Sequence, residues 1–330
     1  MAHESKPQRP IRPPVSPLDF PTEGRFLLAA STGGHLAQLV RMHEQLGATP
    51  DSVWVTFDTT QSRSLLRGKP VIYVPYVAPR DWRAVWNARR TIASQLEGER
   101  FDGCVSTGAA IAIAAFLSRP ARRVPRMYVE SVARVNGPSM TGRIVERTHL
   151  AQLRTQHVGW ANSRWAFGGS VLSSYESLPS EPSNDKPRLF VTLGTIKPYR
   201  FDQLVDAVLA TGLADSTTVW QLGTTTRDDL PGAVHNYLDA DQFQAAAHEA
   251  DVVITHAGMG TILLLLDMGK YPVVVPRRQS RNEHVDDHQG QIADLSKSEG
   301  IAASLEVDAI TADAILRAHR RRIVQSDFAR

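Results

Sequence analysis

Short apolar runs alternate with longer helical patterns along this sequence, and the alternation runs twice. In the first round the runs are Arg25–Ser31, Ser52–Asp58, Val71–Val77, Phe101–Ser106 and Arg126–Glu130. Each leads into a turn and a helical stretch. A chain that returns through a helix to begin every new strand builds parallel sheets covered on both faces. Ser173–Pro187 breaks the pattern with three prolines and many small polar residues, as an interdomain linker does. The second round holds Leu189–Leu193, Thr218–Leu222, Val234–Leu238, Asp251–Thr255 and Val273–Val275. The 330 residues exceed the size at which one core stops growing. The expectation is α/β: two doubly wound parallel-sheet domains in tandem, with their strand ends facing a central cleft.

The boundaries follow from the same pattern. Residues 1–24 hold six prolines and several charges and read as a disordered tail. Residues 25–172 form the first domain, 173–187 the linker and 188–308 the second domain. Residues 309–330 read as a C-terminal helix, with Arg320, Arg321 and Arg322 near its end, where cations suit the dipole.

Charge divides the chain unevenly. Residues 1–184 carry 22 Lys and Arg against 14 Asp and Glu, a formal +8, whereas residues 185–330 carry 15 against 20, a formal −5. The single cysteine, Cys104, excludes an intramolecular disulfide and a cysteine metal cluster, and it fits a reducing compartment. No stretch reaches the roughly 20 apolar residues of a membrane span, and no apolar leader opens the chain.

Ligands of open α/β sheets bind beyond the carboxyl ends of the strands, and the unusual residues of this chain cluster there. In the first half they are Gly33-Gly34-His35, Asp58, Thr107-Gly108 and Glu130 with Arg134. Gly33 and Gly34 permit a tight turn, and the helix that follows offers free N–H groups to an anion. His35 then stands in the first helical turn, where the dipole disfavours the imidazolium and keeps a neutral base available. A turn with a hydrogen-bonded histidine is the plainer reading. In the second half, Gly194, Thr195 and Lys197 place amides, a hydroxyl and an ammonium at one turn, which suits a diphosphate. The same spacing also makes a simple strand-to-helix turn, and it is not a P-loop. His256, Gly258, Gly260 and Thr261 open a helix whose positive end points into the cleft. Asp287, His288 and Gln289 suit sugar hydroxyls, with a solvated helix start as the alternative.

Other features pull elsewhere. Asp239-Ala240-Asp241 is formally a metal-binding DxD. Asp58 stands where dinucleotide enzymes keep a ribose carboxylate, but the first turn lacks the third glycine of that fingerprint. Ala78–Leu96 carries Trp82, Trp86, Arg80, Arg83, Arg89 and Arg90. Trp and Arg suit a lipid interface; an amphipathic surface helix with its tryptophans turned inward is the other reading.

Together these motifs resemble glycosyltransferase family 28. Residues 25–165 resemble the membrane-recruiting subunit of the eukaryotic dolichyl-diphosphate N-acetylglucosamine transferase and its bacterial exopolysaccharide relatives of the PssD type. The residues that carry this are Ser31–Leu39 (STGGHLAQL), Ser106–Ala110 (STGAA) and Tyr128–Val135 (YVESVARV). Residues 188–305 resemble the catalytic partner and PssE-type chains, through Phe190–Val205, Ala250–Ile262, Pro272–Arg277 and Asn282–Gln289. Both halves lie in one chain, in the order seen in MurG.

The resemblance implies a GT-B fold of two Rossmann-like domains and an inverting, metal-independent, cofactor-free transferase acting in polysaccharide or exopolysaccharide assembly. It implies a UDP-sugar on the C-terminal domain and a polyprenyl-diphosphate-linked acceptor on the N-terminal domain. It also implies peripheral attachment to the cytoplasmic face of the membrane, directly or through a membrane-bound assembly partner, and no nucleic acid. By match to the family motif His35 is the general base. Gly33, Gly34, Thr107, Gly108, Glu130 and Arg134 fall on the acceptor side. Gly194, Thr195, Lys197, His256, Gly258, Gly260, Thr261, Asp287, His288 and Gln289 fall on the donor side. One departure stands out. The family's ribose-binding glutamate is replaced by Leu264, with Asp267 one turn further on. Arg277 and Arg278 would suit a uronic acid donor, or face phosphate or solvent. Competing readings are a soluble GT-B enzyme (a natural-product transferase or nucleotide-sugar epimerase), a non-catalytic nucleotide-sugar-binding scaffold and, remotely, a nicotinamide enzyme.

Overall fold

Each half of the alternation closes into its own parallel sheet. The structure, a computed structural model, describes residues 20–78, 80–182, 186–194, 197–284 and 287–325. Seven strands make the first sheet: β1 (Phe26–Ala30), β2 (Val53–Phe57), β3 (Val71–Val74), β4 (Gly103–Gly108), β5 (Arg126–Val129), β6 (Gln152–Thr155) and β7 (Trp165–Phe167). Their order is 3-2-1-4-5-6-7, all parallel. Its helices are α1 (Gly34–Met42), α2 (Thr60–Leu65), α3 (Trp82–Gln95), α4 (Ile111–Leu117) and α5 (Met140–Thr148). β1 and β2 are buried along their whole length, because a parallel sheet with helices on both faces leaves no solvent side.

The second sheet uses β9 (Leu189–Thr192), β10 (Val219–Gln221), β11 (Ala233–His235), β12 (Val252–His256), β13 (Val273–Val275) and β14 (Ala303–Ser304), reached after β8 (Tyr175–Pro179). The order 11-10-9-12-13-14 repeats that of the first sheet. Its helices are α6 (Asp202–Ala210), α7 (Ala240–Glu249), α8 (Met259–Asp267), α9 (His288–Ser298) and α10 (Ala312–His319). In both sheets the strand order reverses at the first strand, which is where a doubly wound domain opens its ligand crevice. Among the described residues no helix is long and apolar enough to cross a membrane.

The two sheets meet through α1 and α8. Leu36 and Leu39 from the first helix share one apolar cluster with Met259, Ile262, Leu263 and Leu266 from the second. This sets the two switch points face to face.

Three boundaries differ from the sequence reading. The tail of residues 1–24 is ordered from Phe20 onward: its ring packs 5.3 Å from that of Phe26, and Gly24 bridges to Ala48. An aromatic at that point closes the open edge of the core beneath β1 and β4. The linker is partly a strand, β8, which pairs antiparallel with β15 (Arg321–Gln325). The C-terminal helix is accordingly shorter than 309–330. The hydroxyl of Thr311 caps α10, and the three arginines lead into β15, whose Ile323 is buried. Residues 1–19, 183–185 and 326–330 lie outside the described residues.

Candidate functional site

The helix that follows β1 begins at Gly34, and the helix that follows β12 begins at Met259. These two N-termini abut. A Cβ on Gly260 would lie 3.2 Å from the backbone nitrogen of Gly34. Both helix starts therefore aim unsatisfied N–H groups and positive dipole ends at one place, an arrangement an anion relieves. Beside them lies a cavity of about 550 Å³. Its walls include Gly33, Gly34, His35 and Gln61 from the first domain, and Gly194, His256, Gly258, Gly260, Thr261 and Leu264 from the second.

His35 is fixed by its neighbours on β4. Its Nδ1 lies 2.5 Å from the Thr107 carbonyl oxygen, and the Thr107 hydroxyl donates to the His35 carbonyl at 2.8 Å. A carbonyl only accepts, so Nδ1 carries the hydrogen and the lone pair of the neutral ring sits on Nε2. Burial lowers the imidazole's pKa from 6.5, assisted by the nearby Arg134 cation and opposed by the Thr107 hydrogen bond. The group is therefore a neutral base at the cavity wall. Gly108 backs the ring, and a Cβ there would stand 2.9 Å from His35 Cε1. Thr107 and Gly108 thus hold the base rather than line the cavity.

His256 ends β12 in a cradle of glycines. A Cβ on Gly194 would lie 2.6 Å from its Cε1, and one on Gly258 would collide with Nε2. Gly194 also has φ +77°, a conformation that suits glycine. Burial first, then the Arg277 cation, push the His256 pKa down to about 3, against a backbone hydrogen bond at Thr192. The ring is therefore a neutral hydrogen-bonding wall.

Glu130 and Arg134 serve different ends, and no ion pair joins them among the described residues. Glu130 is fully buried, and burial raises its pKa while the amides of Ser131 and Ser139 bond its carboxylate at 3.1 and 2.8 Å. It shapes the loop into α5. Arg134 crosses to the second domain and hydrogen-bonds His288 Nε2.

The remaining expected donor residues divide. Gly258, Gly260, Thr261, Gly194 and His256 line the cavity; Thr195 lies outside the described residues. Lys197 is exposed and not part of the wall. Asp287 is also exposed and accepts the Gln279 amide at 2.9 Å. Gln289 is buried and accepts the Arg277 amide at 3.0 Å. Together with His288 they stand away from the cavity wall.

The structure decides several readings that the sequence leaves open. Arg277 is not available to a uronate. It is buried, donates to the carbonyls of Leu193, Tyr199, Arg200 and Glu283, and lies 4.8 Å over the Phe201 ring. Burial lowers its pKa to about 10, and it pins the strand ends around the cavity. Arg278 is ion-paired with Glu306. Asp267 does not replace the missing glutamate: it is engaged by Arg41 across the domain boundary and by the Tyr175 hydroxyl. Asp239 caps α7 by accepting the Gln242 amide at 2.8 Å, which accounts for the DxD. Asp58 is held by both arms of Arg63 at 2.6 and 2.7 Å. The tryptophans of α3 do not turn inward. Trp82 and Trp86 are 56% and 46% exposed, while Val85, Ala88 and Ile92 form the buried face.

Gln38 was given no role by the sequence reading. Fully buried, it donates to the Gly34 carbonyl at 2.8 Å and the Ser131 hydroxyl at 3.0 Å. It also accepts from the Val132 amide and from Gln156, each at 2.8 Å. Its signal was a polar residue on the apolar face of α1, one turn beyond Gly34. Gln61, which accepts the Gly33 amide at 2.6 Å, had no comparable signal.

Residues 199–312 match the glycosyltransferase family 28 C-terminal domain. The fold is GT-B, and with that domain the chain is a glycosyltransferase. Among solved structures it is similar to the glycotransferase of kitacinnamycin, at 15% identity over 90% of each chain, with a TM-score of 0.55. It is also similar to SsfS6 from Streptomyces sp. SF2575, solved with thymidine diphosphate, at 17% identity over 89% of this chain and 91% of that one, TM-score 0.52. Acinetobacter baumannii MurG matches at 17% identity over 89% of each chain, TM-score 0.50. No curated protein matches the sequence.

Proposed function

We propose that this chain is an inverting, metal-independent glycosyltransferase that moves a sugar from a nucleotide-diphosphate sugar, UDP-linked first among candidates, to a polyprenyl-diphosphate-linked acceptor in polysaccharide assembly. The observation that carries the chemistry is the tautomer of His35. With Nδ1–H committed to Thr107, Nε2 is free to take a proton at a cavity that both glycine-rich helix starts face. The acceptor hydroxyl attacks the anomeric carbon, and its proton passes to Nε2. The bond from that carbon to the diphosphate oxygen breaks on the opposite face, and the diphosphate leaves with the electron pair. A single displacement of this kind inverts the anomeric configuration. Charge on the leaving group grows where the amides at Gly258–Thr261 and the positive end of α8 stand, and preorganised donors are worth most there.

The lipid-linked acceptor is supported by the surface of the first domain. Tyr76, Trp82, Trp86 and Met140 are exposed on the half of the chain that carries the formal +8. Such a face suits an anionic membrane on the cytoplasmic side.

The test is transfer of label from UDP-sugars and dTDP-sugars to polyprenyl-diphosphate sugars in the presence of EDTA. We expect transfer with one nucleotide class, loss of transfer in His35→Ala, and protein recovered with membranes on fractionation. Turnover only on free small acceptors would replace this reading with a soluble natural-product transferase. Release of an epimerised sugar without transfer would replace it with an epimerase. Tight nucleotide binding with no turnover would leave a scaffold.

A further inference from the structure

A second cavity, of about 510 Å³, opens beside the catalytic cleft on the first domain. Its walls are mostly apolar, with Phe57, Ile113 and Ile144 inside and Tyr76, Trp82 and Met140 around the mouth. The mouth residues are 68%, 56% and 53% exposed, three large apolar side chains left in water at one opening. Large apolar surface gathered this way around a concavity marks a binding site rather than chance exposure.

Its position identifies what it holds. Ser31 and Thr32 line it and run straight into the Gly33-Gly34-His35 turn. Ala109 and Ala110 line it and follow Gly108, against which the His35 ring is packed. The two loops that fix the base therefore also line the second cavity, through the residues next to Gly33 and Gly108. An acceptor that presents a hydroxyl to His35 carries whatever lies beyond its sugar toward this second opening. Asp81, at the rim, is spent on capping α3 through the Ala84 amide at 3.0 Å, and Arg80 adds a cation beside it.

We infer that this cavity binds the first isoprene units of the acceptor, those next to its diphosphate, so that the lipid is held by the protein and not only by the bilayer. The inference rests on the lipid-linked acceptor proposed above. A branched C5 chain matches apolar walls with few polar groups, and a concavity encloses it in a way a flat membrane surface does not.

The experiment uses the full chain, the nucleotide sugar that supports transfer, and soluble sugar diphosphates ending in a methyl group or in one, two or three isoprene units. All are assayed below their aggregation concentrations and without vesicles. We expect KM to fall at least tenfold from methyl to two units and then to level off, with kcat little changed. Ile144→Trp, which fills the cavity from a half-buried position, should return the KM of the prenylated acceptors toward that of the methyl compound. Ile113→Trp repeats the test from the buried wall, and the thermal shift given by the nucleotide checks the fold of both variants. Equal KM for all chain lengths, or chain-length dependence that survives both variants, would overturn the inference while leaving the lipid-linked acceptor in place. A preference seen only when vesicles are added would assign the tail to the bilayer and overturn it too. Failure to use any diphosphate acceptor would instead overturn the functional reading on which it rests.

Discussion

At the scale of single residues, the site depends on which nitrogen of which histidine holds a proton. His35 and His256 are both neutral in the fold, for the same main reason of burial, and in His35 the donor nitrogen is Nδ1, committed to the Thr107 carbonyl. The lowered His35 pKa has a definite sign for activity. The reactive neutral form persists as pH falls below 6.5, and activity is lost only at lower pH, as the ring is protonated. The acid limb of kcat/KM against pH should therefore lie below 6.5, and His35→Ala should cost about 10²–10⁴-fold in kcat. An acid limb at or above 6.5 would contradict the assignment. His35, Gly258 and Gly260 were legible in the sequence because glycines before a helix have few other uses at a strand end. Gln38 was not, because its partners Ser131, Val132 and Gln156 are far off in sequence and meet it only after the sheet has formed.

At the scale of elements, the abutting starts of α1 and α8 form the critical junction. A side chain on Gly260 has the backbone of Gly33 and Gly34 in its way. Gly260→Leu should force the two helices apart, cost about 1–3 kcal/mol of stability as overpacking does, and abolish the thermal shift produced by the nucleotide. Denaturant melts with and without nucleotide would show both effects; a variant that binds nucleotide normally would show that the junction is not the anion site. The apolar strands β1, β2, β9 and β12 could be read directly, since fully buried parallel strands are nearly continuous apolar runs. β6 and β7 could not, because Gln152–Thr155 is mixed in polarity and Trp165–Phe167 is only three residues long. β8 and β15 were hidden for another reason. Each resembles linker or helix end on its own and becomes a strand only by pairing with the other.

At the scale of the whole molecule, the two domains are joined by more than apolar packing. Arg41 of α1 and Asp267 of α8 form an ion pair across the boundary, and the Tyr175 hydroxyl joins it from β8. Asp267 is partly exposed, so the pair contributes modestly to stability, about 1 kcal/mol or less. Its larger effect is on the angle between the domains. Asp267→Asn should lower the melting temperature only slightly while broadening the solution scattering profile toward more open shapes and raising KM for the nucleotide sugar. An unchanged profile would show that the apolar cluster alone sets the angle. The two-domain plan was legible because the rhythm restarts after residue 187. The relative placement of the domains was not, because it is decided by a few contacts between residues more than two hundred positions apart.

The pairing of β8 with β15 has a mechanical consequence. The end of the chain returns to grip the segment that leaves the first domain, and Ile323 is at the same time hydrogen-bonded to Gly269 of the second. A single connecting strand would act as a swivel, free to twist in any direction. A connection clasped along five paired positions acts more like a door hinge, with its axis laid along the ribbon. Motion between the domains is then confined to opening and shutting the crevice, so the two glycine-rich turns part and return in register instead of drifting sideways.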